Sequence, residues 1–530
     1  MADKQETIEL GEIRNIDTNQ DVAALARLGK KTVLKRKFGF LSILGFSCTV
    51  LVTWEGFLIL FLVGLQNGGP AGVFYGYIIA WLGTTSVFAV LSELVSMAPT
   101  SGGQYHWVAM LAPQRYQNVF SYVAGWLTVA GWQATLASSA YLTGSLIQGL
   151  LILTQPNYVP QNWHATLLFW AIIAFGVIIT TASSWLLPKF EGLILIIHVL
   201  GFFGIMITLL TLGPHENAKE VFTTFTNKGG WDSQGLSFCI GMMGTVYAFV
   251  GGDGAIHMAE EIRNAPVTVP RAIMAGIWIN GSLGFGMMLT MLFRSGDIDA
   301  ALAENPSFPF IAIFHNAVQS VSGAAAMAAF VMILSTCCAV GTLASSSRVF
   351  WAFSRDRGLP GWRTLSKVSS RTSIPVNAVA ATTVIACILS FVNIGSATAF
   401  NGVISVAIAG IFCSYLLVAS LLLYRRTTGG IISLSASASE VSLTNTTGKT
   451  LSWGPWRIPG ILGIVNNAFA CAYLCFVFFF TFWPSVKDIT PATMNWSILV
   501  TGFITTFSAV YYMVRARKTY KGPIIEVDGE

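Results

Sequence analysis

Two acidic residues stand where acids are costly. Glu55 lies in the run Gly45-Phe46-Ser47-Cys48-Thr49-Val50-Leu51-Val52-Thr53-Trp54-Glu55-Gly56, near the middle of a long apolar window. Asp253 lies in a second window, in Tyr247-Ala248-Phe249-Val250-Gly251-Gly252-Asp253-Gly254. Each glycine disfavours helix by about 1 kcal/mol relative to alanine, so the second stretch predicts a helix break. A broken helix presents unpaired carbonyls and N–H groups, which are tolerated in hydrocarbon only where they face a cavity. Backbone dipoles beside a carboxylate could hold an ammonium group or a proton without bulk water. The candidate solute-binding residues are therefore Thr49, Val50, Thr53 and Glu55 from the first run. The second run contributes Tyr247, Phe249, Gly251, Gly252, Asp253 and Gly254. Asp253, Glu55 and the lone His198 of a third apolar window are the candidates for carrying a coupled proton. The plainer alternative for each is an interhelical hydrogen bond.

The elements that must position these residues follow from composition. Of 530 residues, 54% are hydrophobic and 10% charged, with a mean hydropathy of +0.65. A soluble protein carries about 25% charged residues, so a water-soluble enzyme is excluded. The charge of +6 forms no stripe, which argues against a nucleic-acid partner. Apolar windows run at 38–65, 72–97, 119–153, 164–186, 189–212, 236–262, 270–294, 320–353, 375–394, 398–424, 460–484 and 493–514. Each is long enough for a helix to cross a core about 30 Å thick. The fold class is all-α, a polytopic membrane protein of about twelve spans; the short alternating segments of a barrel are absent. With both termini cytosolic, 26 of the 30 Lys and Arg fall in inside segments. That asymmetry is the positive-inside pattern.

The two interruptions fall in the first and sixth windows, five spans apart. Matching interruptions in two halves point to an inverted-repeat transporter with a site at the bilayer midplane, and an odd offset supplies the inversion. The expected organisation is a cytosolic tail over 1–37 and a five-plus-five core over 38–424. A cytosolic Ser/Thr-rich loop over 425–459, two peripheral spans over 460–514 and a cytosolic tail over 515–530 follow. The stretch 429–450 reads as flexible, and Asp21–Leu34 as a membrane-surface segment or a solvated tail. All eight cysteines lie in apolar runs and predict no disulfide.

Longer motifs carry a resemblance. Ser92-Glu93-Leu94-Val95-Ser96-Met97-Ala98-Pro99-Thr100-Ser101-Gly102-Gly103-Gln104-Tyr105 is similar to the second-span signature of the amino acid–polyamine–organocation superfamily. Phe249 to Asp253, then Glu261 to Pro266 and Val269 to Ile273, resembles its sixth span and following loop. Ser354 to Pro360 resembles the loop after its eighth span. The likeness covers about residues 35–515 and is strongest to the fungal amino acid/choline transporter branch, with its GABA and choline permeases. It implies helices 1 and 6 broken, alternating access and proton coupling. It also implies a proton-sensing acid at Asp253, and a gate at Tyr247 and Phe249. Relatives that bind α-amino acids place Gly-Ser-Gly in the first break; this chain has Thr49, Val50 and Leu51, which points toward a cation.

The expected function is a secondary active transporter of an amine or amino acid, choline-, GABA- or polyamine-like, at the plasma membrane. It would need no cofactor, the proton gradient supplying the driving force. The alternatives are an exporter of a cationic alkaloid or a nutrient-sensing receptor. An enzyme is not expected, because the six histidines are dispersed, nor a primary pump, because no phosphate-binding glycine loop occurs.

Overall fold

The computed structural model describes residues 20–527 except 306–307, 396, 434–442 and 492, and the described chain is helical apart from isolated β-bridges. Residues 20–27 form α1. The first span is split into α2 (Phe40–Leu51) and the start of α3 (Thr53–Met97), which continues through Gly69 and Pro70 into the second span. Then come α4 (Gln104–Leu111), α5 (Gln117–Thr154), α6 (Asn162–Val177, prolonged by a π-turn over Ile178–Ala182), α7 (Leu187–Leu212) and α8 (Ala218–Thr223). The sixth span is α9 (Gln234–Tyr247) and α10 (Gly254–His257). Beyond it lie α11 (Ala265–Arg294), α12 (Ile298–Glu304), α13 (Pro309–Val318), α14 (Val321–Arg355), α15 (Trp362–Leu365), α16 (Val376–Gly395), α17 (Ala397–Thr427), α18 (Gly460–Phe480) and α19 (Ser497–Val514).

Eleven of the described helical stretches are long and apolar enough to cross a bilayer. The predicted sixth window is the exception for a physical reason: a 14-residue helix rises only about 21 Å, short of the core's thickness. Interruptions are therefore found in both predicted places. The first is a single residue, Val52, at φ 35 and ψ 48. The left-handed region is sterically poor for a β-branched side chain, so neighbouring packing must hold it there. The second spans 248–253, with Gly251 at φ 99.

Packing sets these breaks at the centre. α2 lies against α7, α11 and α14; α3 lies against α9 and α11; α5 lies against α14 and α17. The outer faces of α7, α18 and α19 are apolar and exposed, as at Leu200, Ile461 and Phe503. Such a belt meets lipid rather than water.

The face that carries both ends of the described chain is closed by charge pairs. Arg348 Nε donates to Glu261 (2.8 Å), and Arg355 grips Glu260 with two terminal nitrogens at 2.8 and 2.9 Å. Arg426 pairs with Glu93. Lys30, itself buried, pairs with Asp356 just past α14. Here the structure corrects the expectation for Asp21–Leu34. This segment is docked into the protein, with Asp21 accepting from Asn264 N at 2.9 Å and Leu25, Leu28 and Leu34 buried. Spaced leucines that resemble a weak membrane-surface stripe instead cover the helix ends. The C-terminal segment joins it, Glu526 N donating to Gly29 O at 2.6 Å and Ile524 N to Asp356 Oδ1 at 2.9 Å. The 429–450 stretch also departs from expectation outside 434–442, which lie beyond the described residues. Asn445 is buried, donating to Met97 O and Ser452 O at 2.9 Å each.

Candidate functional site

Between the two interruptions lies a small cavity, about 70 Å³. Val50, Leu51 and Val52 of the first break form one wall, and Tyr247, Ala248 and Val250 of the second form another. The remaining lining includes Thr135, Ser139 and Thr143 of α5 and Ser335, Cys338 and Thr342 of α14. The α5 hydroxyls recur every four residues and so share one face of the helix. Ser139 Oγ and Thr342 Oγ1 are 3.0 Å apart, tying α5 to α14 across the space. Side chains of neighbouring helices take up backbone groups near the first break: Cys338 Sγ donates to Val50 O (3.5 Å), and Asn280 Oδ1 accepts from Thr53 N (3.4 Å). Ser345 Oγ donates to Gly254 O at 3.1 Å, below the second break.

The bulk that replaces glycine in the first break has a counterpart opposite. Val50 fits against glycines: a Cβ on Gly251 or Gly254 would lie 3.2 Å from Val50 Cγ1, and one on Gly341 would lie 2.5 Å from Val50 Cγ2. Val50 fills the space these glycines leave, which keeps the packing dense without overlap.

The predicted residues separate into three places. Val50 and Tyr247 line the cavity. Thr49 is buried in α2 with its hydroxyl donating to Gly45 O (2.8 Å), and Thr53 opens α3. Phe249 packs on Tyr77 with ring centroids 5.3 Å apart, and Gly252 faces Phe88.

Glu55 and His198, 143 positions apart in sequence, meet in the second place. His198 Nδ1 is 2.6 Å from Glu55 Oε1, and Trp54 Nε1 donates to the same Nδ1 at 3.2 Å. An indole N–H can only donate. Nδ1 offers one in-plane lone pair: it can accept from Trp54 or from a protonated Glu55, and when protonated it donates to Glu55 and leaves Trp54 without an acceptor. Trp54 and Glu55 therefore compete for the same nitrogen. Glu55 Oε2 and His198 Nε2 have no hydrogen-bond partner among the described residues.

Asp253 forms the third place. Its Oδ2 accepts from Gln104 Nε2 at 2.8 Å and lies 3.5 Å from His257 Nε2, whose Nδ1 is 3.0 Å from Ser101 O. Tyr415 faces Asp253 as well. Neither Asp253 nor Glu55 is among the residues lining the cavity.

Several residues here were not singled out by sequence. Thr135, Ser139 and Thr143 carry a usable signal in their four-residue spacing within an apolar window, as do Ser335, Cys338 and Thr342 at intervals of three and four. Gln104 lies inside the second-span motif, yet nothing in that motif shows what it faces. Glu191, a further buried acid, sits on α7 with its backbone carbonyl against Gly45.

Comparison with known proteins agrees with this architecture. A family profile described as amino acid permease matches residues 38–504. A protein of Macrophomina phaseolina, provisionally named amino acid/polyamine transporter, is 30% identical over 86% of this chain and 96% of its own length. The choline transporter of Saccharomyces cerevisiae is 29% identical over 96% of this chain and 86% of its own. An uncharacterized amino-acid permease of Schizosaccharomyces pombe is 30% identical over 98% of this chain and 92% of its own.

Proposed function

The chain belongs to the amino acid permease family, an integral multi-pass membrane protein and not an enzyme, and on that premise we propose that it is a proton-coupled secondary transporter of a small amine or amino acid. The observation that carries the reading is the cavity bounded by both helix interruptions, with a buried hydrogen-bonded acid–imidazole pair, Glu55 and His198, just outside it. Solute and proton then have separate places. The solute meets hydroxyls, backbone dipoles and the Tyr247 ring; the proton moves within the Glu55–His198 pair and changes the bond to Trp54.

The lining supports a choline- or GABA-like solute over an extended polyamine in this conformation, because the space is small and offers no carboxylate to a second ammonium. An aromatic face and hydroxyl oxygens can hold an ammonium group, the ring alone contributing about 0.5–2 kcal/mol. Alternating access would consist of opening the cavity to one side at a time, with the Arg348–Glu261 and Arg355–Glu260 pairs closing the side of the termini. The excess of Lys and Arg on that side supports a cytosolic orientation for it. A plasma-membrane site accords with uptake.

The test is uptake of radiolabelled choline, GABA and a polyamine by proteoliposomes, with and without an imposed pH gradient, together with Tyr247→Ala and Thr342→Val. Gradient-stimulated uptake of one solute, lost in both variants, is expected. Uptake that needs sodium and ignores the pH gradient would overturn the proton assignment. Flux unaffected by either substitution would overturn the cavity assignment.

A further inference from the structure

A second concave site lies far from the helix breaks, at the edge of the apolar belt on the face carrying both chain ends. It is a cavity of about 260 Å³ between the end of α17 and the start of α18, lined by Arg425, Arg426, Trp453, Arg457, Ile458 and Gly460. Three guanidiniums thus converge on one hollow. Among the described residues a single carboxylate, that of Glu93, pairs with them, through Arg426. Arg425 and Arg457 have no carboxylate partner among the described residues.

The bonds made by these arginines leave donors over. Arg425 donates from Nε to Leu111 O (2.6 Å) and from one terminal nitrogen to Ala112 O (3.2 Å). Arg426 donates to Ile458 O (3.0 Å) and pairs with Glu93, yet its Nε is buried with no partner among the described residues; the side chain is 6% exposed. Trp453 lies under the Arg426 guanidinium, 4.7 Å from ring centroid to Cζ, and holds it in place. Arg457 is exposed and reaches only Ser433 Oγ at 3.4 Å. The 21-residue α18 begins at the same hollow with Pro459 as N-cap and no side-chain cap, so its first-turn N–H groups also face outward. Fixed guanidiniums, a buried unused donor and an open helix start form a site for a multiply charged oxyanion, and guanidinium forks match phosphate geometry.

The position selects the source of that phosphate. Immediately beyond Gly460, Ile461, Leu462 and Val465 expose 74%, 69% and 59% of their surfaces, and Tyr424 of α17 is exposed beside them. This apolar strip begins at the mouth of the cavity. A headgroup seated on the arginines would therefore have its acyl chains along α18. We propose that the α17–α18 cavity binds the headgroup of an anionic phospholipid in the leaflet on the side of the termini. Basic pockets between spanning helices at that level take lipid phosphates in this way. Because Arg426 also holds Glu93 near the end of the second span, the lipid would brace α17 and α18 against α3.

The experiment uses the full-length protein purified in detergent. Thermal unfolding and native mass spectrometry are followed on adding dioleoyl phosphatidic acid, dioleoyl phosphatidylcholine or inorganic phosphate at equal concentration. The expected results are a raised melting temperature and bound lipid with phosphatidic acid only. Arg457→Glu, an exposed position that should leave folding intact, is expected to weaken phosphatidic acid binding at least tenfold. Arg515→Glu, a basic residue elsewhere on the same face, is expected to leave it unchanged. Equal stabilisation by inorganic phosphate would replace the lipid by a soluble anion and sink the proposal. Equal losses in both variants would show only general attraction to a basic face, and undiminished binding by Arg457→Glu would remove the site.

Discussion

His198 Nδ1 lies 2.6 Å from Glu55 Oε1 in a wholly buried pair that joins α7 to the first turn after the Val52 break. In the proposed mechanism this pair carries the coupled proton, and it touches the broken helix whose backbone walls the cavity. Glu55→Gln keeps a hydrogen-bonding group of the same size but cannot take up a proton. Net uptake driven by a pH gradient should fall at least tenfold in this variant, while solute exchange at equal pH, which needs no net proton movement, should persist. Parallel uptake and exchange measurements in proteoliposomes check it; equal loss of both would make Glu55 structural.

Asp253 is held by Gln104 and His257 beneath the second break, away from the cavity lining. Asp253→Asn retains a carbonyl for Gln104 but removes the charge. If that charge matters to transport, uptake should drop several-fold, and Gln104→Leu, which removes a donor to the same carboxylate, should lower the rate as well. Unchanged uptake by Asp253→Asn from pH 5 to 8 would take this residue out of the mechanism.

The fit of Val50 against Gly341 gives a compensation test. Gly341→Ala brings a methyl to 2.5 Å from Val50 Cγ2, and overpacking of this kind costs about 1–3 kcal/mol. The single variant should melt lower and transport poorly. Adding Val50→Ala should restore most of both, and failure of the double variant would mean that the two residues do not share the space.

Lys30 and Asp356 form a buried pair in which Asp356 also accepts from Tyr105 Oη (2.8 Å) and Ile524 N (2.9 Å). Although burial acts the other way, the Lys30 and Arg355 cations hold the Asp356 carboxyl below its usual value. Lys30→Met leaves that charge short of a partner and should cost about 3–5 kcal/mol. Lys30→Met with Asp356→Leu should recover a large part of it in detergent melting curves. A single variant as stable as the parent would refute the pair's importance.

His106, buried in α4 and bonded to Asn445 O at 3.1 Å, gives a pH prediction. Burial, aided by nearby Lys30, pushes its pKa down from 6.5 to about 4. The folded state thus favours neutral imidazole, and its contribution is complete above the unfolded value. As pH falls from about 6.5 to about 4 the unfolded chain binds the extra proton first, and up to about 3 kcal/mol is lost. Melting temperature should decline across that window, and His106→Gln should flatten the decline. A parallel decline in both proteins would assign it elsewhere.

The spans and both interruptions were legible because long apolar runs and clustered glycines are local signals. Val52 was not identifiable as the breaking residue, since nothing in Leu51-Val52-Thr53 disfavours helix strongly. The pairing of Glu55 with His198 depends on α7 lying along the first span, a contact between distant segments that periodicity cannot show. The cavity hydroxyls were obscured for another reason: α5 and α14 carry small polar residues on several faces, so the spacing of Thr135, Ser139 and Thr143 does not by itself mark the side that turns inward. The docked N-terminal segment was misread because a few spaced leucines look alike whether they meet lipid, water or protein.

Gly29 accepts from Glu526, and Ile524 shares Asp356 with Lys30 at the tip of α14. The beginning and end of the described chain are thus latched to the same helix. If α14 swings outward there during the cycle, it must first let go of both. A bulky fusion or a modification at either extremity would then alter turnover with every lining residue left intact.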